Sequence, residues 1–472
     1  MSFEIGESCG VFGIYVRDDD VCKLSYYALY ALQHRGQESA GIAVSDGKES
    51  LLLKDMGMVS QVFSERDLLN LKGHLALGHV RYSTTGSTSW ENSQPIQVPR
   101  KGGSVFVAHN GNLINTNALR DGMKAEGIRF RTSSDTEVVA MLLAHSGALD
   151  IADAVKEVMP RLTGAYALGV MTEDKVIGVR DPFGIRPLCV GKYGDGYAIA
   201  SESCGLDIIG AEYLREIEPG EMAVLDEDGL RFERVMEARK PSLCIFEFIY
   251  FARPDSVMHD TYLYHARKHM GMSLADEAPV EADVVMPIPD TGVPAAIGYS
   301  QVSGVTFGEG LIKNRYVGRT FIQPTQAIRQ LGVRLKLNPL VRDIEGKRLV
   351  VVDDSIVRGN TTKEIVKMLK DAGAREVHMR ISSPPDRYPC FYGIDTAIRK
   401  QLIASTMSVE EIRRFIGADT LHYLSKENLV RATRRQREDF CLACFDGDYP
   451  IPVPEDSKMA KFRLERRRIE VK

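Results

Sequence analysis

Two carboxylates at the end of a short apolar run are the residues of this chain that most directly suggest chemistry. Leu349–Val352 is typical of a buried strand, and Asp353 and Asp354 follow at its carboxyl end. A polar turn, Arg358–Thr362, then leads into a helical pattern. Open α/β sheets bind ligands at the carboxyl ends of their strands, and such a turn directs backbone N–H groups at a phosphate. Since carboxylates can also hold ribose hydroxyls and Mg²⁺, the pattern predicts a sugar-phosphate site, whereas a bare Asp-Asp pair alone would favour two solvated acids.

The thirteen-residue stretch from Val350 to Thr362, taken as a whole, resembles the phosphoribosyl pyrophosphate (PRPP) motif of type I phosphoribosyltransferases. By this resemblance Met286–Gly292 is the pyrophosphate loop, and Thr291 joins Asp353 and Asp354 around Mg²⁺. The Pro-Asp-Thr-Gly sequence in it would otherwise be an ordinary turn. The resemblance implies a PRPP-binding set of Asp290, Gly292, Lys313, Lys336, Ser355, Arg358, Gly359, Asn360, Thr361 and Thr362.

A long polar segment with little periodicity, Arg319–Pro339, lies between these two motifs. Loops of this length inside a compact domain are usually lids or disordered. Lys313 and Lys336 lie at its edges and could reach the diphosphate when the segment folds over the site; otherwise they are solvated lysines. A lid would exclude water, which would compete as a nucleophile when pyrophosphate leaves the anomeric carbon.

Near the amino end, Cys9 opens another strand pattern and could supply a nucleophile. A cysteine at a free amino terminus has a built-in base, because its own α-amino group has a pKa near neutrality and lies within reach of the thiol. Met1–Ser8 precedes Cys9, so this chemistry requires that a propeptide is cut between Ser8 and Cys9. A lone cysteine in a strand would otherwise be a small buried apolar residue.

Polar segments after Cys9 favour the interpretation of Cys9 as a nucleophile over its interpretation as a packing residue. They are His34–Gln37, Gly78–Thr84, His109–Asn112 and Ser133–Asp135. Together with Cys9 they resemble the class II glutamine amidotransferases of the N-terminal-nucleophile superfamily. Taken singly, each has a plainer explanation, such as a hairpin turn at Asn110-Gly111 or a helix cap at Asp135.

The side chains of these segments fit the chemistry that the resemblance implies. Free glutamine is a zwitterion, so Arg81 would hold its carboxylate as a bidentate fork and Asp135 would hold its ammonium group. Attack by the Cys9 thiol on the side-chain amide builds negative charge on oxygen, which the Asn110 amide and the Gly111 N–H would stabilise. A thioester forms, ammonia leaves, and water then releases glutamate. The implied glutamine-binding set is Arg81, Asp135, Arg35 and Thr84.

The eight cysteines are scattered through a long chain, which argues against a disulfide framework. Four of them could bind a [4Fe–4S] cluster or a zinc ion: Cys244, Cys390, Cys441 and Cys444. A single Cys-x-x-C pair is weak evidence, and the spacing does not select the metal. The packing residues are expected to be Cys22, Cys189 and Cys204.

Composition and charge limit the classes of function. With 472 residues the chain is expected to form two or three domains. Its net charge of −4 gives no basic footprint for nucleic acid. We expect neither a membrane-spanning stretch nor a signal peptide, and therefore a cytoplasmic protein without a membrane partner.

The elements that must position these residues follow two different patterns. Up to about residue 235, many short strands occur with helices grouped apart, which predicts a layered α+β domain. Beyond Phe232–Pro241 helices and strands alternate, which predicts a parallel, doubly wound sheet. We assign 1–8 to the propeptide, 9–235 to the amidotransferase domain, 236–450 to the phosphoribosyltransferase domain and 451–472 to a charged tail. The resemblance implies that the first domain is a four-layer αββα sandwich with an N-terminal nucleophile and that the second is an α/β type I phosphoribosyltransferase fold.

Most candidate residues follow predicted strands or precede predicted helices. The strands are Cys9–Val16, Leu75–Val80, Ser104–Ala108, Asp283–Pro287, Leu349–Val352 and Glu376–Ile381. Leu75–Val80 and Ser104–Ala108 are each expected to run into a polar turn that contains glycine. The helices are Leu24–Leu32, Thr136–Leu143, Tyr262–Ala275, Pro294–Ser300, Thr362–Leu369, Ser408–Ile416 and Lys426–Arg435.

From Cys9 to about Pro450 the chain resembles the glutamine PRPP amidotransferases. The resemblance implies the first committed step of purine synthesis, in which PRPP, glutamine and water give 5-phosphoribosylamine, pyrophosphate and glutamate. It also implies feedback inhibition by purine nucleotides and a homo-oligomer, either a dimer or a tetramer. One group of this family has both a propeptide and a [4Fe–4S] cluster, and the eight-residue extension and four cysteines match that group.

Two other functions compete with this interpretation. Another class II amidotransferase, such as a glucosamine-phosphate or asparagine synthetase, would need a sugar isomerase or an ATP-pyrophosphatase half, and the Val350–Thr362 motif argues against both. The alternative outside catalysis is a PRPP-binding regulator that binds DNA. A complete glutaminase set and the lack of a basic domain argue against it.

Overall fold

The computed structural model describes residues 9–82, 89–314, 335–394, 396 and 399–454. Several predictions fall outside these residues. They concern Thr84, the propeptide at 1–8, most of the segment 319–339 and most of the tail at 451–472. No helix in the described part of the chain is long and apolar enough to span a membrane.

The amino-terminal part consists of short strands with a few helices, as the sequence pattern predicts. The strands are β1 Gly10–Tyr15, β2 Ser39–Ser45, β3 Ser50–Met56, β4 Leu75–Arg81, β5 Ile96–Arg100, β6 Gly103–Leu113, β7 Gly164–Met171, β8 Val176–Arg180, β9 Cys189–Tyr193, β10 Gly196–Ala200, β11 Glu212–Glu216, β12 Glu221–Asp226 and β13 Gly229–Arg234. The helices are α1 Val21–Ala31, α2 Val59–Val62, α3 Glu65–Asn70, α4 Thr116–Ala125, α5 Asp135–Ala144, α6 Ile151–Val158 and α7 Ser203–Asp207. Short 3₁₀ turns lie at Gln33–Arg35, Trp90–Asn92 and Met159–Arg161.

In the described residues these strands form two antiparallel sheets. One has the order β11-β9-β10-β1-β4-β2-β3 and the other the order β13-β12-β8-β7-β6-β5. Successive side chains of a strand point to opposite faces, so Val11 packs between the sheets while Phe12 packs under α1. In the second sheet Phe106 likewise faces inward, and Val107 faces α5 and α6. The layers therefore run helix, sheet, sheet, helix, and the predicted four-layer αββα sandwich is confirmed.

The carboxyl-terminal part alternates helices and strands around a second core. The strands are β14 Leu243–Cys244, β15 Val257–Met258, β16 Thr261–Tyr262, β17 Val284–Pro287, β18 Leu311–Lys313, β19 Leu337–Pro339, β20 Arg348–Asp353, β21 Glu376–Ile381, β22 Thr420–Tyr423 and β23 Phe440–Cys441. The helices are α8 Leu263–Glu277, α9 Val293–Ser303, α10 Val341–Ile344, α11 Asn360–Asp371, α12 Val409–Ile416, α13 Lys426–Ala432 and α14 Ala443–Asp446. A π-helical turn lies at Glu247–Phe251, and 3₁₀ turns lie at Arg399–Gln401, Ile403–Ser405 and Arg437–Asp439.

The predicted parallel sheet is confirmed, with the order β17-β20-β21-β22 among the described strands. Pro287 pairs with Val352 in the parallel register, so the turns that follow β17 and β20 lie side by side at the carboxyl edge of the sheet. The fourth strand, β22, was not predicted, because Thr420–Tyr423 is short and mixes polar with apolar residues. Farther along the chain, β14 pairs in parallel with β23, which places Cys244 opposite Cys441.

Candidate active sites

Cys9 lies directly before β1, and the register of β1 with β4 brings it next to the end of β4. Gly10 pairs with Val80, and the Tyr82 backbone N–H donates a hydrogen bond to the Cys9 Sγ at 3.4 Å. Cys9 is buried. Burial raises the pKa of the thiol above its ordinary value, and the Tyr82 N–H and the Arg81 charge offset this only in part. The group is therefore a protonated thiol at neutral pH and needs a base before it can attack.

Arg81 ends β4 and supplies a buried guanidinium beside Cys9. Burial lowers the pKa of Arg81, while the charges of Cys9, Glu38 and Asp135 act in the opposite direction. The guanidinium remains a cation, because its pKa starts far above neutrality. Its Nη1 lies 4.0 Å from a carboxylate oxygen of Glu38. One predicted anchor for a substrate carboxylate thus lies within electrostatic reach of the nucleophile.

Asp135 is the first residue of α5, and its carboxylate faces the end of β6. The helix begins behind the N-cap Ser134, whose side chain accepts a hydrogen bond from the Thr136 N–H. The Asp135 Oδ2 accepts from the Leu113 N–H at 3.1 Å and lies 3.5 Å from the His109 Nδ1. Burial alone would raise the pKa of Asp135, but His109 and the backbone N–H groups outweigh it and lower the pKa. The group is therefore ionised and suited to an ammonium group.

The expected oxyanion-hole residues lie in a strand and not in the predicted turn. β6 continues through His109–Leu113, and Asn110 and Gly111 pair with Ala167 and Tyr166 of β7. The prediction that the strand ends at Ala108 was wrong, because polar side chains do not interrupt a strand whose backbone remains paired. Gly111 has a φ of +148°, and a Cβ on it would lie 2.1 Å from the Ala165 carbonyl oxygen. Only glycine fits at this position.

Arg35 lies beneath Cys9 in a buried network of charges. Its Nε donates to the Cys9 carbonyl oxygen at 3.0 Å, and its two terminal nitrogens donate to Glu247 at 3.0 and 2.8 Å. It also donates to Glu202. Burial would lower the pKa of Arg35, but the two carboxylates outweigh it and raise the pKa. With its nitrogens engaged in this way, the guanidinium holds the backbone of Cys9.

Three other residues complete this network, and sequence reasoning missed them. Glu247 also accepts from Arg186 Nη1 at 3.3 Å, and Glu202 lies 2.7 Å from the His34 Nε2. Glu202, Glu247 and Arg186 are all fully or almost fully buried. A signal was present for one of them, because Glu247 is a lone carboxylate within the apolar run Ile245–Ile249. A charge in such a run is almost always paired.

In the transferase domain, the structure brings the two predicted loops into contact. The Ile288 N–H donates to the Val352 carbonyl oxygen at 2.8 Å. The Thr291 hydroxyl donates to the Asp354 carboxylate, which is buried beside it. Gly292 lies so close to β20 that a Cβ on it would be 2.5 Å from the Val352 carbonyl oxygen. Thr291, Asp353 and Asp354 therefore meet at one edge of the sheet.

The polar turn after β20 leads into a helix as predicted. Gly359 is the N-cap of α11 with a φ of +75°, and Asn360, Thr361 and Thr362 form the first turn. The N–H groups of a first helical turn have no partner within the helix and can bind an anion. Arg358 donates to the Gln401 side chain at 3.0 Å.

The remaining members of the PRPP set lie around these loops. The Ser355 hydroxyl donates to Asp354 at 2.5 Å. The Lys313 Nζ lies 2.6 Å from an oxygen of Asp290. Lys313 ends β18, which pairs with β19, and the Lys336 carbonyl accepts from the Asn314 N–H at 2.8 Å. Lys313 thus lies next to the pyrophosphate loop, and Lys336 lies one residue before β19, beside Asn314.

The four candidate metal-binding cysteines converge on one apolar cluster. Cys244 lies opposite Cys441, and the Cys444 carbonyl accepts from the Tyr388 N–H at 2.9 Å, two residues before Cys390. Burial raises the pKa of all four thiols, and each thiol is also within electrostatic range of others in the set. In the described part of the chain, however, no three His, Cys, Asp or Glu side chains form a group that could hold a single metal ion.

Comparisons with known proteins match both halves of the chain. Residues 79–207 match the family model of a glutamine amidotransferase domain, and residues 263–382 match that of a phosphoribosyl transferase domain. The amidophosphoribosyltransferase of Synechococcus elongatus is 51% identical over 465 residues, which cover 97% of this chain and 94% of that protein. The amidophosphoribosyltransferase of Bacillus subtilis is 49% identical, with 96% of each chain covered.

A solved structure agrees over nearly the same length. It is glutamine PRPP amidotransferase from B. subtilis complexed with ADP and GMP. The TM-score is 0.90 at 49% identity, and the match covers 95% of this chain and 98% of that one.

Proposed function

The chain belongs to the amidophosphoribosyltransferase family, and we propose how its residues divide the reaction between two sites. The enzyme hydrolyses glutamine and transfers the ammonia to PRPP, which gives 5-phosphoribosylamine and pyrophosphate in purine biosynthesis. One observation carries the proposal for the first site: Cys9, Arg81 and Asp135 come from separate elements to one buried place. We assign 9–235 to this site and 236–450 to the transferase.

Glutamine binds by its two charges and is attacked at its side-chain amide. Arg81 holds the carboxylate and Asp135 the ammonium group. The Cys9 thiol gives its proton to its own α-amino group while sulfur forms a bond to the amide carbon. The Asn110 amide and the Gly111 N–H stabilise the oxyanion. Ammonia leaves with that proton, and water hydrolyses the thioester to glutamate.

Removal of 1–8 is part of this proposal, because it creates the base. While Ser8 is joined to Cys9, the nitrogen of Cys9 is an amide and cannot accept a proton. The raised pKa of the buried thiol makes a nearby base necessary at neutral pH. Intact-mass measurement of active enzyme is expected to show a chain that begins at Cys9, and full activity with residues 1–8 attached would contradict the mechanism.

PRPP binds at the carboxyl edge of the parallel sheet. Asp353 and Asp354 hold the ribose hydroxyls, and the first turn of α11 holds the 5-phosphate with its N–H groups. Asp290 and Gly292 of the pyrophosphate loop surround the diphosphate together with Lys313 and Lys336. Thr291, Asp353 and Asp354 supply the oxygen donors that Mg²⁺ prefers, and the ion, when bound, neutralises charge on the leaving pyrophosphate.

The cysteine cluster is proposed to hold a structural [4Fe–4S] cluster through Cys244, Cys390, Cys441 and Cys444. The donor set fits, since four cysteine thiols converge on one apolar cluster, with the buried carboxyl group of Asp386 nearby. When bound, the cluster would tie the carboxyl-terminal segment to the rest of the chain. Anaerobically purified protein is expected to be brown, with iron and sulfide present in equal amounts. A colourless, zinc-loaded preparation would contradict this.

Regulation and assembly are also proposed from the family. Purine nucleotides are the expected feedback inhibitors, and the solved B. subtilis relative was complexed with ADP and GMP. A homo-oligomer, dimer or tetramer, is the expected assembly, and sedimentation analysis of the purified enzyme measures it.

Two parallel assays test the division between the sites. Cys9→Ser is expected to abolish synthesis from glutamine but to retain synthesis from high concentrations of ammonia. Asp353→Ala is expected to lower both, because either nitrogen source needs PRPP. Cys22→Ala is the matched control, since Cys22 is a buried cysteine that belongs to neither proposed site. Equal loss of both activities in Cys9→Ser would contradict the proposal.

A further inference from the structure

The transferase domain contacts the glutaminase site at the end of β6. The Asn112 side-chain amide donates to the Phe391 carbonyl oxygen at 2.8 Å. The Arg186 Nε donates to the Tyr392 carbonyl oxygen at 2.9 Å. Two successive carbonyls of the segment Phe391–Gly393 are thus bound by side chains of the amidotransferase domain. Both bonds lie at or beside the strand that carries Asn110-Gly111.

Gly393 makes the third contact, against the backbone of Gly111 itself. Its φ is +107°, and a Cβ on it would lie 3.0 Å from both the Cα and the carbonyl carbon of Gly111. The same Cβ would lie 3.1 Å from the Arg186 Nη2. On its other side, Gly111 packs against the carbonyl of Ala165. The backbone of Gly111 is therefore enclosed between β7 and the segment Phe391–Gly393.

The segment Phe391–Gly393 is also hydrogen-bonded to other residues of the carboxyl-terminal part of the chain, and these bonds fix its position. The Tyr392 hydroxyl donates to the Ile451 carbonyl at 2.6 Å and accepts from the Ile451 N–H at 3.1 Å. Upstream, the Tyr388 N–H donates to the Cys444 carbonyl at 2.9 Å. At the start of the same connection, the Ser382 N–H donates to the Asp353 carbonyl at 2.9 Å. The connection from Ser382 to Gly393 thus contacts Asp353 of the PRPP site at its start and Gly111 at its end.

We propose that Phe391–Gly393 of the transferase domain is a positioning element for the oxyanion hole of the glutaminase. This inference rests on the proposed role of Asn110 and Gly111. A donor stabilises the developing oxyanion only when it lies at hydrogen-bond distance from the position the oxyanion will occupy. The segment fixes the Gly111 N–H at that place, so the glutaminase geometry is completed by the other domain.

Gly393→Ala is the principal test, because it adds one methyl group against Gly111. We expect kcat for glutamine hydrolysis to fall about tenfold to a hundredfold, while KM for glutamine changes by less than about threefold. Synthesis from ammonia and the rate at which iodoacetamide alkylates Cys9 are expected to be unchanged, since neither uses the oxyanion hole. Gly417→Ala is the matched control, because Gly417 has a φ of +79° and no neighbour within 4 Å of its Cβ position.

Asn112→Ala is the second variant, and it removes one hydrogen bond without adding bulk. We expect kcat for glutamine to fall about two- to tenfold. The double variant Gly393→Ala/Asn112→Ala is expected to be little worse than Gly393→Ala alone, because both act through one contact. This variant decides the question if Gly393→Ala does not fold.

Asn110→Ala separates failure of this inference from failure of the proposed function. If Asn110→Ala lowers kcat for glutamine and Gly393→Ala and Asn112→Ala do not, the positioning role is overturned and the oxyanion hole stands. If none of the three lowers it, the assignment of the oxyanion hole itself fails. Equal loss of glutamine- and ammonia-dependent synthesis in folded Gly393→Ala would also overturn the inference.

Discussion

The thiol of Cys9 and the carboxylate of Asp135 are both buried, yet their surroundings shift their pKa values in opposite directions. The Cys9 Sγ accepts a weak hydrogen bond from the Tyr82 N–H, and burial raises the pKa of the thiol. Asp135 receives backbone N–H donors and lies beside His109, and these outweigh burial and lower its pKa. At neutral pH the first group is therefore uncharged and the second is an anion. The proposed glutaminase mechanism uses this combination, with Asp135 charged before glutamine binds and Cys9 activated only by a specific base.

The first prediction concerns the reactivity of Cys9 in the chain that keeps residues 1–8. Since only the thiolate is alkylated and the pKa is raised, alkylation by iodoacetamide is expected to be slow at pH 7 and to rise about tenfold per pH unit beyond pH 8. In the processed chain the α-amino group is present, and the rate at pH 7 is expected to be higher. Mass spectrometry of the Cys9 peptide measures both rates. A rate in the unprocessed chain that is already constant above pH 7 would show that no leader removal is needed to activate the thiol.

The second prediction concerns Asp135→Asn. Losing the anion that faces the glutamine ammonium group is expected to raise KM for glutamine about ten- to a hundredfold, with a smaller effect on kcat. Because the pKa of Asp135 is lowered, the carboxylate stays ionised as the pH falls, so KM of the parent enzyme is expected to stay flat from about pH 8 to pH 5. Steady-state kinetics over this range measures it. Asp121→Asn, on the exposed side of α4, is the control, and an unchanged KM in Asp135→Asn would remove Asp135 from the site.

At the scale of elements, the turn Gln33–Arg35 and the π-helical turn Glu247–Phe251 are joined by charge. Arg35 and Arg186 both donate hydrogen bonds to the carboxylate of Glu247, and Arg35 also donates one to the Cys9 carbonyl oxygen. Removing one partner of a buried ion pair leaves the other charge without compensation, which typically destabilises by roughly 3–5 kcal/mol. The network therefore links the backbone of Cys9, the proposed nucleophile, to the turn Glu247–Phe251.

The third prediction follows for Glu247→Gln. We expect a lower unfolding temperature in calorimetry and a larger loss of activity with glutamine than with ammonia, because Cys9 loses its support. Glu410→Gln is the control, since Glu410 pairs with Arg413 and Arg414 on the exposed surface of α12, where a lost ion pair has little effect. An unfolding temperature equal to that of the parent enzyme would mean that the two arginines are compensated by other groups.

These elements also show where sequence reasoning succeeds. Strands such as Leu349–Val352 and Glu376–Ile381 are confirmed, because an apolar run or alternation reports directly on which side of a backbone is buried. β22 and the extension of β6 through Leu113 were missed, because there pairing with a neighbour and not local pattern keeps the backbone extended. Local pattern does not contain that information.

The residues of the candidate sites also divide into those that the sequence could place and those that it could not. Residues of one motif, such as Asp353, Asp354 and the turn at Gly359, could be placed from sequence because strand, turn and helix follow one another. The partners of Arg35 could not, because Glu202 and Glu247 lie far from it along the chain and are selected only by burial and charge pairing. The contact of Gly393 with Gly111 could not be predicted from sequence either, because neither glycine has a side chain that would indicate a contact.

At the scale of the whole molecule, one connection of the transferase domain contacts residues of both proposed sites. β6, which carries the proposed oxyanion-hole residues, ends against Phe391–Gly393, and the same connection begins at the carbonyl of Asp353, a residue of the proposed PRPP site. In the proposed mechanism, ammonia is therefore released next to the transferase domain. Free ammonia in water at neutral pH is mostly ammonium, which is not a nucleophile, so transfer inside the protein would preserve the reactive form.

The fourth prediction tests this transfer with a nitrogen label. With glutamine labelled with ¹⁵N in its side-chain amide and an excess of unlabelled ammonium at pH 7, the product is expected to carry ¹⁵N from the first turnovers onward. Ammonia that escaped to solvent would be diluted by the unlabelled pool, whereas ammonia that stays inside would not. Mass spectrometry of the trapped product measures the ratio, and Cys9→Ser, which can use only the unlabelled pool, gives the baseline. Label diluted in proportion to the added ammonium would mean that the nitrogen equilibrates with water between the two sites, so that their contact serves geometry alone.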